Sequence, residues 1–240
     1  MHYKKLFYRL LPALLIASSY STSANESLPP QEDLLLSEED FLSELPVVLT
    51  ATRLSQPARE APAATTVIDR DMIKASGARE IADLFRLVPG FVVSHDNGYT
   101  PIVTYHGLSN EQARRMQVLV DGRSVYSIVF GGTKWTDLPL AIDDIERIEV
   151  IRGPNAATYG ANAFLSTINI ITRHSSETNG VFARVNVGNI DIRDGYLRYG
   201  DTLDDLSYRL TLGYNRDTGF ADRYDTHQVR MATFRSDYQL

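Results

Sequence analysis

The stretch Ile145-Glu146-Arg147-Ile148-Glu149-Val150-Ile151-Arg152-Gly153-Pro154 decides how the chain is read. Its β-branched residues favour a strand, and the Gly-Pro pair closes it, because proline cannot continue a ladder. Just downstream, Tyr159-Gly160-Ala161-Asn162-Ala163 reads as a small-residue loop, and Thr167-Ile168-Asn169-Ile170-Ile171-Thr172 as a second strand. Upstream, Gln117-Val118-Leu119-Val120 and Arg123-Ser124-Val125-Tyr126 flank Asp121-Gly122, the pair that tolerates positive φ in a hairpin turn. Further back, Asp69 is placed to cap a short helix through Met72 and Ile73 that Gly77 stops. Ile81, Leu84, Phe85 and Val88 follow the i, i+3, i+4, i+7 spacing of one buried helical stripe. Pro89-Gly90 ends that stripe, and Phe91-Val92-Val93 starts another strand. Strands and helices interleave without regular βαβ spacing, so residues 53–175 are expected to form an α+β domain with a small mixed sheet and short helices.

The chain has 240 residues, 24 Lys+Arg against 30 Asp+Glu, and no Cys. Without Cys there is no disulfide scaffold, thiolate metal site or cysteine nucleophile. The acidic balance argues against nucleic acid as a partner. Lys4, Lys5 and Arg9 precede the apolar run 10–17, and small residues follow to Ala24, the pattern of a secretory signal peptide over 1–24. Eight apolar residues are far short of the roughly 20 that carry a helix across a bilayer. Residues 25–52 read as a flexible acidic segment whose first part, 25–45, has acidic residues and Pro29-Pro30 but no basic residue, the composition of a tether. The tether ends in Glu44-Leu45-Pro46-Val47-Val48-Leu49-Thr50-Ala51. Such a sticky extended segment is either offered to a partner's sheet edge or is the first strand of the folded domain.

Several ordered motifs carry a resemblance. Val88-Pro89-Gly90-Phe91, Gly107-Leu108-Ser109, Val118-Leu119-Val120-Asp121-Gly122-Arg123, the 145–154 run, 159–163 and 168–172 together resemble the plug domain of TonB-dependent outer-membrane receptors. His106 stands where that family usually has Arg before Gly107. The resemblance implies that Glu44 to Ala51 is the TonB box, gripped as an added strand by the inner-membrane energy coupler TonB. It also implies a bacterial outer-membrane location and a small-molecule ligand such as a metal chelate. The plug-motif residues it marks are Asp121, Gly122, Arg123, Glu146, Arg147, Glu149, Arg152, Gly153, Pro154, Tyr159 and Gly160.

Beyond Gly180 the texture changes. Leu206, Tyr208, Leu210, Leu212 and Tyr214 alternate with Ser207, Arg209, Thr211, Gly213 and Asn215. Val181, Ala183, Val185 and Val187 alternate with Phe182, Arg184 and Asn186 in the same way. Taken alone, one such strand fits a half-buried sheet equally well. Four strand candidates (181–188, 192–200, 206–215, 228–240) after a plug-like domain point to a transmembrane β-barrel, apolar face to lipid. In the fourth, Val229 and Met231 lie on the opposite phase to Phe234 and Tyr238. Membrane barrels need about 8 strands or more. Residues 176–240 are therefore expected to be the first strands of an incomplete barrel, and the chain the N-terminal part of a longer receptor. The rival expectation is a free periplasmic plug-like binding module, or a truncated receptor without function.

No hydrolase, nucleotide-binding or zinc-protease motif is present, so no enzyme activity and no cofactor are expected. The five His residues are scattered and have no His or Cys ligand partner three or four positions away. Glu146 and Glu149, interleaved with Arg147 and Arg152, read as a solvated or barrel-facing ion network. By the resemblance, ligand meets outward plug loops, here 95–100 with His95, Asp96, Asn97 and Tyr99, and 127–135 with Phe130, Lys134 and Trp135. Tyr99 and Trp135 offer stacking surfaces unless they pack internally.

Overall fold

The computed structural model describes residues 47, 48, 50, 56, 57, 63–108 and 112–239. The leader, the tether, Ser109 and most of the 44–51 motif (Glu44, Leu45, Pro46, Leu49, Ala51) lie outside the described residues. The first two strands are short: β1 (Val47–Val48) pairs antiparallel with β2 (Gln56–Pro57).

A five-stranded mixed sheet forms the centre. After β3 (Ala64–Ile68) comes helix α1 (Arg70–Ser76), then a 3₁₀ helix (Ile81–Leu87). The Asp69 carboxylate accepts from the Met72 N–H at 2.8 Å, and Gly77 ends α1 in the left-handed region, as the sequence predicts. The Ile81 stripe is buried as expected but wound as a 3₁₀ helix. Glu80 gives it no side-chain cap and Pro89 follows at once, so seven residues are held by packing. Next are β4 (Phe91–His95) and β5 (Pro101–Tyr105), a separate hairpin. Then come β6 (Met116–Val120), β7 (Arg123–Ser124), β8 (Ile145–Arg152), helix α2 (Ala156–Tyr159) and β9 (Ser166–Thr172). Sheet order is β3-β8-β9-β6-β7, antiparallel except for the parallel β6–β9 pair. The expected Asp-Gly turn is present, with φ of 47° at Asp121 and 76° at Gly122, although its second strand spans only two residues. The loop expected at 159–163 is preceded by α2, whose last residue is Tyr159.

Alternation along β8 and β9 gives the sheet two different faces. Ile148, Val150, Ile168 and Ile170 join Val118, Phe85, Leu84 and Trp135 in the hydrophobic core. Glu149, Thr167 and Asn169 occupy the opposite face and are buried as well.

A second sheet follows a short 3₁₀ turn (Ser175–Thr178): β10 (Gly180–Gly188), β11 (Ile192–Leu203), β12 (Leu206–Asp217) and β13 (His227–Tyr238), a consecutive antiparallel meander. Its polarity is inverted relative to a soluble sheet. Val181, Val185 and Val187 are 73%, 76% and 80% exposed, whereas Asp194, Arg198, Arg209 and Thr211 are buried against the first sheet's domain. β13 keeps one phase throughout: Val229, Met231, Arg235 and Asp237 lean inward, Phe234 and Tyr238 outward. The apparent phase conflict in the sequence arises because two apolar residues, Val229 and Met231, line an internal cavity instead of the outer face.

Ile168 is fully buried at the centre of β9. Ile168→Ala is expected to cost about 2–5 kcal/mol. Chemical denaturation followed by the fluorescence of Trp135, the sole Trp and a member of the same core, measures it directly.

Candidate functional site

Three places on the described structure concentrate function-bearing groups. The first is a pocket between loops. Residues 95–100 connect β4 to β5, held by the Asp96 N–H to Thr100 carbonyl bond (3.1 Å) and by Asn97 Oδ1 accepting from the Tyr99 N–H (3.0 Å). Residues 127–135 follow β7, and Gly132 is pressed so close to the Gln112 carbonyl that a Cβ would lie 1.4 Å from its oxygen. The two loops, distant in sequence, share one cavity of about 160 Å³ lined by Tyr99, Phe130, Thr133, Lys134, Trp135 and Asp137, among others. Of the seven residues singled out from the sequence, Tyr99, Phe130, Lys134 and Trp135 meet there, while His95, Asp96 and Asn97 do not line it. Lys134 Nζ lies 4.4 Å above the Phe130 ring and 3.0 Å from Asp137. Trp135 is buried, its ring 4.9 Å from that of Phe85, so it is a wall of the pocket and not an exposed stacking platform. Among the described residues, its Nε1–H and the Thr133 hydroxyl have no hydrogen-bond partner. Drug-sized ligand sites occupy roughly 300–1,000 Å³, so this cavity suits one substituent of a larger molecule. Ile128 and Val129, 90% and 88% exposed, project beside it.

A third segment meets the 95–100 loop, and its local pattern does not mark it. The Asp225 carboxylate, between β12 and β13, accepts from the Gly98 N–H (2.6 Å) and the Phe220 N–H (3.0 Å), and Arg223 donates to the Asp96 carbonyl (2.6 Å). The available signal was the polar, Gly-bearing composition of 217–226, ordinary for a turn.

The second place is the sheet face opposite the core. Thr50 is held by four hydrogen bonds. Its N–H and hydroxyl donate to Glu149 Oε2 (2.8 and 2.6 Å), Asn169 Nδ2 donates to its hydroxyl (3.2 Å), and the Tyr159 hydroxyl donates to its carbonyl (2.8 Å). Arg147 Nε lies 2.9 Å from the other Glu149 oxygen. A solvated or barrel-facing ion network was expected here; Glu149 is fully buried and not solvated, because β8 is covered on both faces. Glu146 is partly exposed, 3.8 Å from Arg173 Nε. Arg123 and Pro154 are exposed, Arg152 is half-buried, Gly153 N–H bonds to the Leu165 carbonyl and Gly160 N–H to the Ala156 carbonyl. Asp121 accepts from both the N–H and the hydroxyl of Thr172 (2.8 and 2.7 Å), tying the hairpin turn to β9.

The third place is the seam between the two sheets. Asp144 pairs with Arg198 (2.9 Å) and Arg209 (3.7 Å) and accepts from the Thr211 hydroxyl (2.7 Å). Arg184 faces Asp143, and Arg235 faces Asp121, both at 3.2 Å. Arg79 spans Asp194 and Asp217 at 2.8 and 3.0 Å. Burial acts against the Arg79 cation, yet its bonds to Asp194 and then Asp217 raise it above the ordinary guanidinium value.

Residues 57–166, which contain the lining of the loop pocket and Glu149 and Tyr159 of the second place, match the family described as TonB-dependent Receptor Plug Domain. Over that span the chain is similar to the plug domain of TonB-dependent receptors. The chain is 37% identical over 144 residues to the vitamin B12 transporter BtuB of Vibrio vulnificus, covering 59% of this chain and 23% of that protein. BtuB of Vibrio cholerae is 28% identical over 213 residues, 88% of this chain and 32% of the transporter. This chain thus spans about a quarter to a third of the length of these two relatives. In fold it resembles the ferripyoverdine receptor of the Pseudomonas aeruginosa outer membrane (TM-score 0.57, 23% identity, 72% of this chain, 22% of that one). It also resembles the ferric yersiniabactin uptake receptor FyuA of Yersinia pestis (TM-score 0.55, 21% identity, 72% and 28%).

Two outcomes follow from the geometry. Thr50→Val removes two of the four bonds to the plug, including one to a carboxylate, and should loosen this contact by about 1.5–3 kcal/mol. Limited proteolysis within 44–51 should be faster in the variant. Asp144→Ala leaves Arg198 and Arg209 buried without their counter-charge and should cost about 3–5 kcal/mol, read as a lower unfolding midpoint.

Proposed function

We propose that this chain is the N-terminal part of an outer-membrane receptor for energised uptake of a scarce nutrient, with residues 53–175 as plug and 176–240 as the first strands of the surrounding barrel. The observation that carries this reading is the inverted polarity of β10–β13, charged residues toward the plug and a continuous valine-leucine-tyrosine surface outward. In water that surface is a liability; in lipid it is what a spanning strand presents. A free periplasmic module would leave it uncovered, which disfavours that alternative.

The ligand class we favour is a metal-containing chelate of cobalamin or siderophore type. The BtuB relatives weight cobalamin first, since they are 37% and 28% identical to this chain over the matched lengths, against 23% and 21% for the two siderophore receptors. Tyr99, Phe130, Lys134 and Trp135 would take one substituent of such a ligand, with exposed Ile128 and Val129 adding apolar contact. The partner on the opposite side is TonB, for which 44–51 supplies a strand. Val47 and Val48 pair with the chain's own β2, so strand addition uses the free edge of that pair or follows its release. Ligand capture and arm release would then be coupled through the plug, and transport is mechanical and not catalytic.

The test uses the full-length receptor. Cyanocobalamin binding and uptake are measured for the wild type and for Val48→Pro, which removes a strand donor. Binding should persist and uptake should be lost. Normal uptake by Val48→Pro would sink the arm assignment, and failure of the wild type to bind cobalamin while binding a ferric siderophore would reassign the ligand.

A further inference from the structure

Among the described residues, one cluster of metal-ligating groups is assembled from three separate elements. Glu80 precedes the 3₁₀ helix of the plug, Asp217 ends β12, and His227 opens β13. One ligand atom from each lies within 4.8 Å of the others. The sequence gives no hint of it, because the spacing rule for metal ligands sees only neighbours along the chain.

Two details distinguish this cluster from an ordinary acidic patch. Among the described residues, buried His227 Nδ1 has no hydrogen-bond partner, although Asp217 Oδ1 is 3.4 Å away. A hydrogen bond to that oxygen would be shorter and aligned, in the range of about 2.7–3.2 Å. Two ligands that each sit about 2.0–2.1 Å from one tetrahedral zinc ion are separated by about 3.3 Å, so the observed spacing is the edge of such a coordination shell. The remaining contacts of Asp217 are those expected around a ligating carboxylate. Oδ2 takes Arg79 Nη2 (3.0 Å) and Oδ1 accepts from the Gly219 N–H (3.0 Å), fixing its orientation.

Beside the cluster is a cavity of about 70 Å³ that Glu80 and His227 both line, with Trp135 and Asn215, large enough to supply water as a fourth ligand.

We propose that Glu80, Asp217 and His227 form a binding site for a divalent cation of the zinc class, joining the plug to two strands of the surrounding wall. A mixed imidazole-carboxylate set suits a borderline cation and not magnesium or calcium, which favour all-oxygen shells. Because the ligands come from both bodies, the bound ion would act as a staple that must be released before the plug can shift at this point. The site is independent of the nutrient carried and of the assignment of the 44–51 arm.

The test is made on full-length receptor purified in detergent and stripped with a chelator. Zn²⁺ binding is titrated against a chromophoric competitor for the wild type, His227→Gln, Glu80→Gln and, as a control, His174→Gln, whose ring faces Asp237 elsewhere on the seam. One saturable Zn²⁺ per chain is expected in the wild type and in His174→Gln, with affinity about tenfold or more weaker in the other two variants. Equal affinity in His227→Gln or Glu80→Gln would overturn the proposal. Should those variants fail to fold, the zinc X-ray absorption spectrum of the wild type decides: a shell with imidazole nitrogen and carboxylate oxygen supports the site, and an oxygen-only shell overturns it.

Discussion

Arginines of the wall need acids of the plug, and this pairing constrains the rest of the structure. Arg184, Arg198, Arg209 and Arg235 all point inward from β10–β13, where water is largely excluded, and Asp143, Asp144 and Asp121 meet them. A buried guanidinium without a counter-charge costs several kcal/mol, whereas a paired one contributes little net stability. The seam therefore specifies register more than it adds strength. Sliding β12 by one residue would turn Arg209 and Thr211 outward and strand Asp144. Asp121 shows the economy of the arrangement: one carboxylate closes the hairpin turn, anchors the end of β9 and meets Arg235.

Local rules made much of the fold legible. The Asp69 cap, the Gly77 stop, the Asp121-Gly122 turn and the alternation of 206–215 each depend on neighbours within a few residues, and each stands in the structure as read. What escaped depends on distant partners. Glu149 looks like a strand-surface acid until Thr50, 99 positions away, is seen to fill its second oxygen. Val229 and Met231 break the outward apolar pattern because the plug leaves a cavity opposite them. Trp135 reads as a loop aromatic, and only its contact with Phe85 shows it to be core.

The candidate site was legible in part for the same reason. Loops 95–100 and 127–135 could be chosen from composition, but that Tyr99 meets Phe130 and Lys134 around one cavity is a tertiary fact. The turn between β12 and β13, which ties itself to Gly98 and Asp96, has no local signature beyond being polar. Its position makes the wall a participant in shaping the plug's loops.

Thr50 has a mechanical meaning beyond its hydrogen bonds. Its amide, hydroxyl and carbonyl are engaged together by Glu149, Asn169 and Tyr159. A tension drawn through the backbone ahead of Thr50 loads these bonds at once instead of peeling them in sequence, so the contact behaves as a fuse with a threshold. While it holds, the load passes to the paired residues of β8 and β9 that carry Glu149 and Asn169, which belong to the centre of the plug sheet. Force would thus reach the interior strands directly, without first unravelling the edge at β3.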